Sequence, residues 1–550
     1  MKPFKPLAVL LFLSLLLGSC SGASTPAKPT GTLPPVLASL VAPTSLPALT
    51  LPPGGTAQAT MPPAAPTAAA ASATLQVIPT RLQPVVLPTA WDDRSLYAAN
   101  LVPDQQGILE GLPGASVYHI DLTIDDSLVS LNGKEEILYT NREKAPLQEL
   151  YLRLFPNLVG GTETLANLTV NDAPVTPLLE QQDSAVKIPL EKPLGVGEQV
   201  VLRLDFNLRV PGADASNFDV LGYAAHVLSL ATFYPIIPAY DAQGWHIEIP
   251  APYGDQTYSD TAFYEVRVSA PSGQKVVASG AAVATQPSGN RTITTYAAGP
   301  VRDFYLAASD WFVESHETVG NTLVHSYAFN QLQSSSAQAL VVAKAAFDSY
   351  EKRFGEYPYS QFSLAATPTK ALGVEYPQVV VIATGLYDLN SPLGAARPQY
   401  FESTVAHEIA HQWFYGVVGN DQVNQPWLDE AMAQYATYLY YEDAHGDVAA
   451  GDFQTSWEQR WERVNRADIP IGLPTTAYTA DSYGAIVYGR GPIFINLLAR
   501  DMGAEPWSVF LKDYYKDYMW GDATTSGYEA LAQQVCGCDL KQDFQAWVGQ

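Results

Sequence analysis

Val405-Ala-His-Glu-Ile-Ala-His-Gln-Trp-Phe-Tyr415, followed by Trp427-Leu-Asp-Glu-Ala431, constrains this chain more than any other stretch. His407, Glu408 and His411 spell H-E-x-x-H. Residues four apart share one face of a helix, about 6 Å apart along its axis. Two imidazoles so placed can reach one metal ion, and Glu408, beside the first, can address a water there. A catalytic zinc takes three protein ligands and keeps one position open. Glu430, in a second helix-like run from Trp427 to Glu442, completes a His2Glu set. The chain has 8 His among 550 residues, so this motif followed by a usable Glu is improbable by chance. Two satisfied surface His beside ordinary helix carboxylates is the weaker reading.

A chain of 550 residues is too long for one core and implies two or three domains. Its formal charge of -25 should repel nucleic acid and anionic membrane surfaces, so no nucleic-acid partner is expected. Of three cysteines, Cys536 and Cys538 form a C-x-C pair that reads equally well as a small disulfide or as two free thiols, with no catalytic role.

Residues 1–19 read as a lipoprotein signal peptide: Lys2 and Lys5 precede an apolar run, Leu7 to Leu17, too short to span a bilayer comfortably. Leu17-Gly-Ser-Cys20 resembles a bacterial lipobox, which implies a lipid anchor on Cys20 and an exported, membrane-anchored protein at the cell surface or in the periplasm. Residues 20–92 are Pro, Ala, Thr and Ser rich and carry no acidic residue before Asp92. They read as a disordered linker able to reach roughly 200 Å when extended.

Residues 93–308 read as an all-β domain. Tyr118 to Ile124, Glu136 to Tyr139, Leu147 to Leu154, Val200 to Phe206, Tyr264 to Val268 and Arg291 to Tyr296 alternate as strands do. Turns are expected at Asn132-Gly, Pro211-Gly, Pro271-Ser-Gly273 and Ser288-Gly-Asn290. Residues 309–550 change grammar. Ala337 to Phe354 has helical spacing; Phe362 to Ala366 and Val379 to Ala383 read as strands; Gln399 to Tyr415 reads as the motif helix, and further helices follow. A mixed sheet beside helices makes this an α+β domain.

The motif region, with Leu372-Gly-Val-Glu-Tyr-Pro377 upstream and Tyr488-Gly-Arg-Gly491 downstream, resembles the aminopeptidase N group of gluzincin zinc metallopeptidases. Tyr234-Pro-Ile-Ile-Pro-Ala-Tyr240 and Pro300-Val-Arg-Asp-Phe304 are similar to segments of its β domain. The resemblance implies a saddle-like N-terminal β domain followed by a thermolysin-like zinc metallopeptidase domain. The helical C-terminal domain common in the family is expected to be absent, leaving a more open cleft. Leu372 replaces the first Gly of the family's G-x-M-E-N segment, and Ala431 replaces the Gly after the ligand Glu. The Gln or Glu of the β domain that helps bind the substrate amine in many relatives has no counterpart assignable in this sequence.

The resemblance also implies roles. One Zn2+ is held by His407, His411 and Glu430. Glu408 takes a proton from the attacking water and passes it to the leaving amine. Tyr488 donates to the oxyanion, with Tyr483 its rival. Glu375 pairs with the α-ammonium of a peptide substrate, and the backbone around Gly373 pairs with that peptide as an added strand. Gln434 either supports the zinc ligands or is packing, Arg490 is structural, and the six His outside the motif lack metal spacing. The leading function is an exported zinc-dependent aminopeptidase acting on peptides. A metalloendopeptidase on the same scaffold and a catalytically silent surface binding lipoprotein are the alternatives.

Overall fold

The computed structural model describes residues 89–212, 217–391, 393–394 and 397–549. The signal segment, Cys20 and nearly all of the expected linker lie outside the described residues.

Alternation of apolar and polar residues builds the first layer. Strands β1 (Val117–Ile124), β2 (Ser130–Thr140), β3 (Thr162–Val170), β4 (Gln199–Arg209), β5 (Ala262–Pro271), β6 (Ala281–Ser288) and β7 (Arg291–Val301) join one eight-stranded sheet. Its order is β6-β7-β5-β1-β2-β4-β3, closed at the β3 edge by Ala173–Pro174. In β2, Leu131, Gly133, Glu135, Ile137 and Tyr139 point inward while Asn132 and Lys134 face solvent. The expected turn at Asn132-Gly is therefore wrong: both residues lie inside β2. Gly133 pairs with Phe206, and a Cβ there would sit 2.0 Å from the Phe206 ring. The glycine serves a close approach between strands rather than a reversal. The expected turns after Pro271 and Ser288 do fall between strands.

The second layer starts with β8 (Phe312–Val319) and β9 (Thr322–Phe329), then α1 (Gln333–Arg353), β10 (Gln361–Thr367), β11 (Gly373–Tyr376) and β12 (Val379–Ala383). The five strands order as β8-β9-β10-β12-β11, with β10 parallel to both neighbours and β11 antiparallel at the edge. β12 (Val-Val-Val-Ile-Ala) is wholly buried, as a short apolar run inside a covered sheet should be. The expected order, a β-rich region followed by a helix-rich part, is the order observed.

Helix α2 (Arg397–Ala410) carries the motif and α3 (Trp427–His445) follows it. The Tyr350 hydroxyl of α1 donates to Ala406 O of α2 at 2.9 Å, and Trp413 packs against Phe347, Tyr350 and Tyr357. The motif helix stops at Ala410, short of the expected Tyr415. Gly416 N–H donates to His411 O at 2.8 Å, and a Cβ on Gly416 would lie 2.9 Å from Gln412 O. This tight wrap ends the helical ladder and turns the chain toward α3. Cys536 and Cys538 are joined in a disulfide around left-handed Gly537. Among the described residues no helix is long and apolar enough to cross a membrane.

Candidate metal centre

Three donor atoms converge where α2 ends and α3 begins. His407 Nε2 and His411 Nε2 are 3.3 Å apart, and Glu430 Oε2 lies 3.2 Å from the first and 3.4 Å from the second. Atoms sharing one tetrahedral zinc ion at about 2.0–2.1 Å lie about 3.3 Å from one another. Glu430 Oε2 is buried and has no hydrogen-bond partner, an expensive state for a carboxylate unless a cation meets it. The residues fit one zinc ion.

Both rings are held so that Nε2 faces this point. His411 Nδ1 lies 3.1 Å from Phe414 O, an acceptor supplied by the turn that ends α2. His407 Nδ1 lies 3.4 Å from the Gln434 amide, whose Oε1 is buried without a partner. A proton on His407 Nδ1 needs an acceptor there, and turning the Gln434 amide over provides it. Gln434 therefore touches a ligand rather than filling space.

Glu408 points from α2 to the edge strand β11. A Cβ on Gly373 would stand 2.5 Å from Glu408 Cγ and Oε1, so only glycine lets this carboxylate lie against the strand. Glu375, also on β11, is buried and groups with Glu408 and His411, one ligand atom of each lying within 4.8 Å of the others. Tyr488 sits in a five-residue π-helical segment, Ile486–Arg490. Its hydroxyl donates to Glu430 Oε1, and its ring is 6.0 Å from that of His407. The Tyr483 hydroxyl is buried without a partner, its ring 5.8 Å from Tyr488. Arg490 points elsewhere, donating to Ile469 O and Trp547 O at 2.8 Å each.

Residues 338–547 match the peptidase family M1 domain, a span that contains all seven expected site residues. The chain carries an M1 peptidase domain. The expected resemblance to the aminopeptidase N group of gluzincins is met by this domain match and by the relatives that follow. Aminopeptidase M1-B of Oryza sativa subsp. japonica is 26% identical over 267 residues, 46% of this chain and 30% of that protein. Aminopeptidase N of Streptomyces lividans is 25% identical over 215 residues, 38% of this chain and 25% of its own length. The matched stretch thus spans a third or less of these relatives. The M1 zinc metallopeptidase of Deinococcus radiodurans shares the fold with a TM-score of 0.59 at 19% identity, covering 80% of this chain and 94% of that one. A mutant of that enzyme bound to a Tyr-Ser-Ala substrate aligns with a TM-score of 0.56 at 20% identity, covering 79% and 93%.

Around the three converging donor atoms the structure adds residues that sequence reasoning missed. Asp255, from a loop of the β-rich region, is half-buried and comes close enough to Glu375 to be the strongest charge acting on it. Gln422, fully buried, donates to Glu375 Oε1 at 3.2 Å and to Asp429 Oδ2 at 2.9 Å, and its Oε1 accepts from Thr257 at 3.2 Å. Burial pushes Glu375 well above the ordinary carboxylate range, reinforced by Asp255, and pushes Glu408 well above it, reinforced by Glu375. Burial also carries Asp429 up to about 7, with Glu430 adding to it. For Glu430, burial is outweighed by the two imidazoles, which hold it below its ordinary value. Only motif chemistry is visible in sequence; Asp255 lies in a loop with no period, and nothing local marks it.

Proposed function

We propose that this chain is a zinc-dependent aminopeptidase that removes N-terminal residues from peptides. The observation that carries this reading is the buried Glu375 on the edge strand β11, grouped with Glu408 and His411. Glu375, Glu408, Asp429 and Glu430 are buried and Asp255 half-buried around only two imidazoles. So many carboxyls in a water-poor site can be ionised together only when cations meet them. One divalent ion satisfies part of it, and the α-ammonium of a peptide satisfies the rest.

His407, His411 and Glu430 would hold the zinc, which when bound polarises a carbonyl and acidifies water. Glu375 and Asp255 bind the ammonium and so set the cut one residue in. The free edge of β11 aligns the peptide backbone as an added strand. Glu408 takes one proton from the attacking water and delivers it to the leaving amine; its raised affinity for protons suits that exchange. The Tyr488 hydroxyl moves from Glu430 to the oxygen that gains charge as the carbonyl is attacked. A peptide substrate is supported by the Tyr-Ser-Ala complex of the Deinococcus neighbour.

The test is a panel of peptides with free and acetylated N-termini, with zinc content measured in parallel. Cleavage of free peptides only, abolished by a chelator and restored by zinc, is expected. Equal cleavage of acetylated peptides would establish an endopeptidase, and a protein that binds no zinc would be the silent binding form.

The apolar run Leu7 to Leu17 and the lipobox-like Leu17-Gly-Ser-Cys20 support a further proposal, an exported protein with a lipid anchor on Cys20. Metabolic labelling with a fatty-acid analogue tests this: label must appear on the wild type and vanish in Cys20→Ser.

A further inference from the structure

Two histidines and a glutamate cluster on the outer face of β8 and β9, outside the proposed catalytic site. His316 and His325 are directly opposite each other in the β8–β9 register. Opposed residues of an antiparallel pair stand on one face, their Cβ atoms about 5 Å apart. Glu314, two residues before His316, shares that face. Glu314 Oε1 is 3.0 Å from His325 Nδ1 and 3.8 Å from His316 Nδ1. The two imidazole rings are 6.0 Å apart, and one donor atom from each of the three residues lies within 4.8 Å of the others.

From this geometry we infer a second site, specific for a first-row divalent transition ion, built by His316, His325 and Glu314. Two donors on one ion at about 2.1 Å lie between about 3.0 and 4.2 Å apart, and the 3.0 and 3.8 Å separations from Glu314 Oε1 fall in that interval. The donor set selects the class of ion. Two imidazoles with one carboxylate suit Zn2+, Ni2+ or Cu2+, whereas Ca2+ and Mg2+ take oxygen ligands. His325 and Glu314 are already tied to each other, which limits their freedom, while His316 is 61% exposed and turns freely to close on the ion. Water completes the coordination on this open face. Among the described residues the opposing group is Lys275, whose Nζ lies 3.3 Å from Glu314 Oε2; it occupies the oxygen that the ion does not need.

The site bridges the edge strand β8 to β9, so its effect is on the sheet edge, and the catalytic residues proposed above are untouched by it.

The experiment is calorimetric titration of the full chain with ZnCl2 after loading with one equivalent of zinc. A second equivalent is expected in the wild type. In His316→Ala, exposed and so safe to replace, affinity for that equivalent should fall by more than about 10-fold, with the first equivalent retained. Glu314→Gln should weaken it in the same way. Peptidase activity should be unchanged in both variants, which separates failure of this site from failure of the catalytic reading. A wild type that takes up no second equivalent, or a second equivalent bound as tightly by His316→Ala, overturns the assignment.

Discussion

The Tyr488 hydroxyl donates to Glu430 Oε1, the second oxygen of the carboxylate whose Oε2 faces both motif imidazoles. A residue expected to serve the oxyanion thus rests on a carboxylate proposed as a metal ligand. In the proposed mechanism, exchanging one oxygen for another would cost little before reaction and gain a charge-assisted bond when the carbonyl is attacked. Tyr488→Phe should lower kcat by roughly 10²–10³-fold with KM nearly unchanged and zinc content intact. Tyr483→Phe should cost under about 10-fold. Steady-state kinetics on both variants decides which tyrosine acts; the larger loss in Tyr483→Phe would reverse the assignment.

Gly373 and Glu408 meet so closely that a single methyl group has no room. In Gly373→Ala the new Cβ would lie 2.5 Å from Glu408 Cγ. The carboxylate must swing off the strand by about an ångström, a displacement that can cost on the order of 10²-fold in rate. The fold has no such conflict, since this glycine's backbone angle is an ordinary one. The expected outcome is a large drop in kcat with an unchanged thermal midpoint. A variant as active as wild type would show that Glu408 need not lie against β11.

In the proposed function Glu375 and Asp255 share one ammonium ion. Glu375→Gln should raise KM for free peptides by about 10-fold or more, the scale of a lost charged hydrogen bond. Asp255→Asn should act in the same direction and more weakly, because Asp255 is the more exposed of the two. Acetylated peptides should be indifferent to both changes. If either variant instead lowers kcat alone, the carboxylate is serving the chemistry and not the substrate's amine.

Sequence carried the parts of this site that rest on short-range geometry. The i, i+4 spacing of His407 and His411 fixes their relation before any tertiary contact forms, and Glu430 follows on the next helix. Strands such as β12 were legible because an apolar run bounded by turns has few other uses. What could not be read depends on distant packing. Asn132-Gly looks like a turn until Phe206 of β4 is seen to lie across Gly133. The early end of α2 depends on a backbone bond from Gly416. Asp255 and Gln422 become site residues only because the β-rich region lies against the M1 domain.

His246 supplies a pH test of that same contact. Its Nε2 lies 3.0 Å from Asp241 Oδ2, and its Nδ1 lies 3.4 Å from Glu248 and 3.5 Å from Asp421, which belongs to the loop before α3. Burial alone would lower the imidazole, but Glu248, Asp421 and Asp241 outweigh it and raise it from 6.5 to about 9. A group raised on folding stabilises the fold fully below its unfolded value and loses that effect as pH rises through the folded one. The thermal midpoint should therefore fall between about pH 6.5 and 9 by more in the wild type than in His246→Gln. Parallel curves for the two proteins would rule out the imidazolium as a clamp.

Arg302 ties the β-rich region to the far end of the M1 domain. Nearly fully buried, it pairs with Asp522 Oδ1 at 2.7 Å, donates from Nε to Tyr415 O at 2.9 Å, and also donates to Gly521 O. A Cβ on Gly419 would fall 1.8 Å from Arg302 Cζ, so the loop before α3 is shaped around this guanidinium. Removing one partner of a buried pair costs about 3–5 kcal/mol, because the other charge stays behind. Asp522 keeps a quarter of its side chain in water, which places Arg302→Met near the low end, about 3 kcal/mol. Tyr415 O and Gly521 O lose donors in the same change, so relaxation cannot restore the loop. Urea unfolding followed by fluorescence should show a lower midpoint with an unchanged slope. A loss below about 1 kcal/mol would mean that water replaces the guanidinium at these carbonyls, and that the two layers are joined by apolar packing alone.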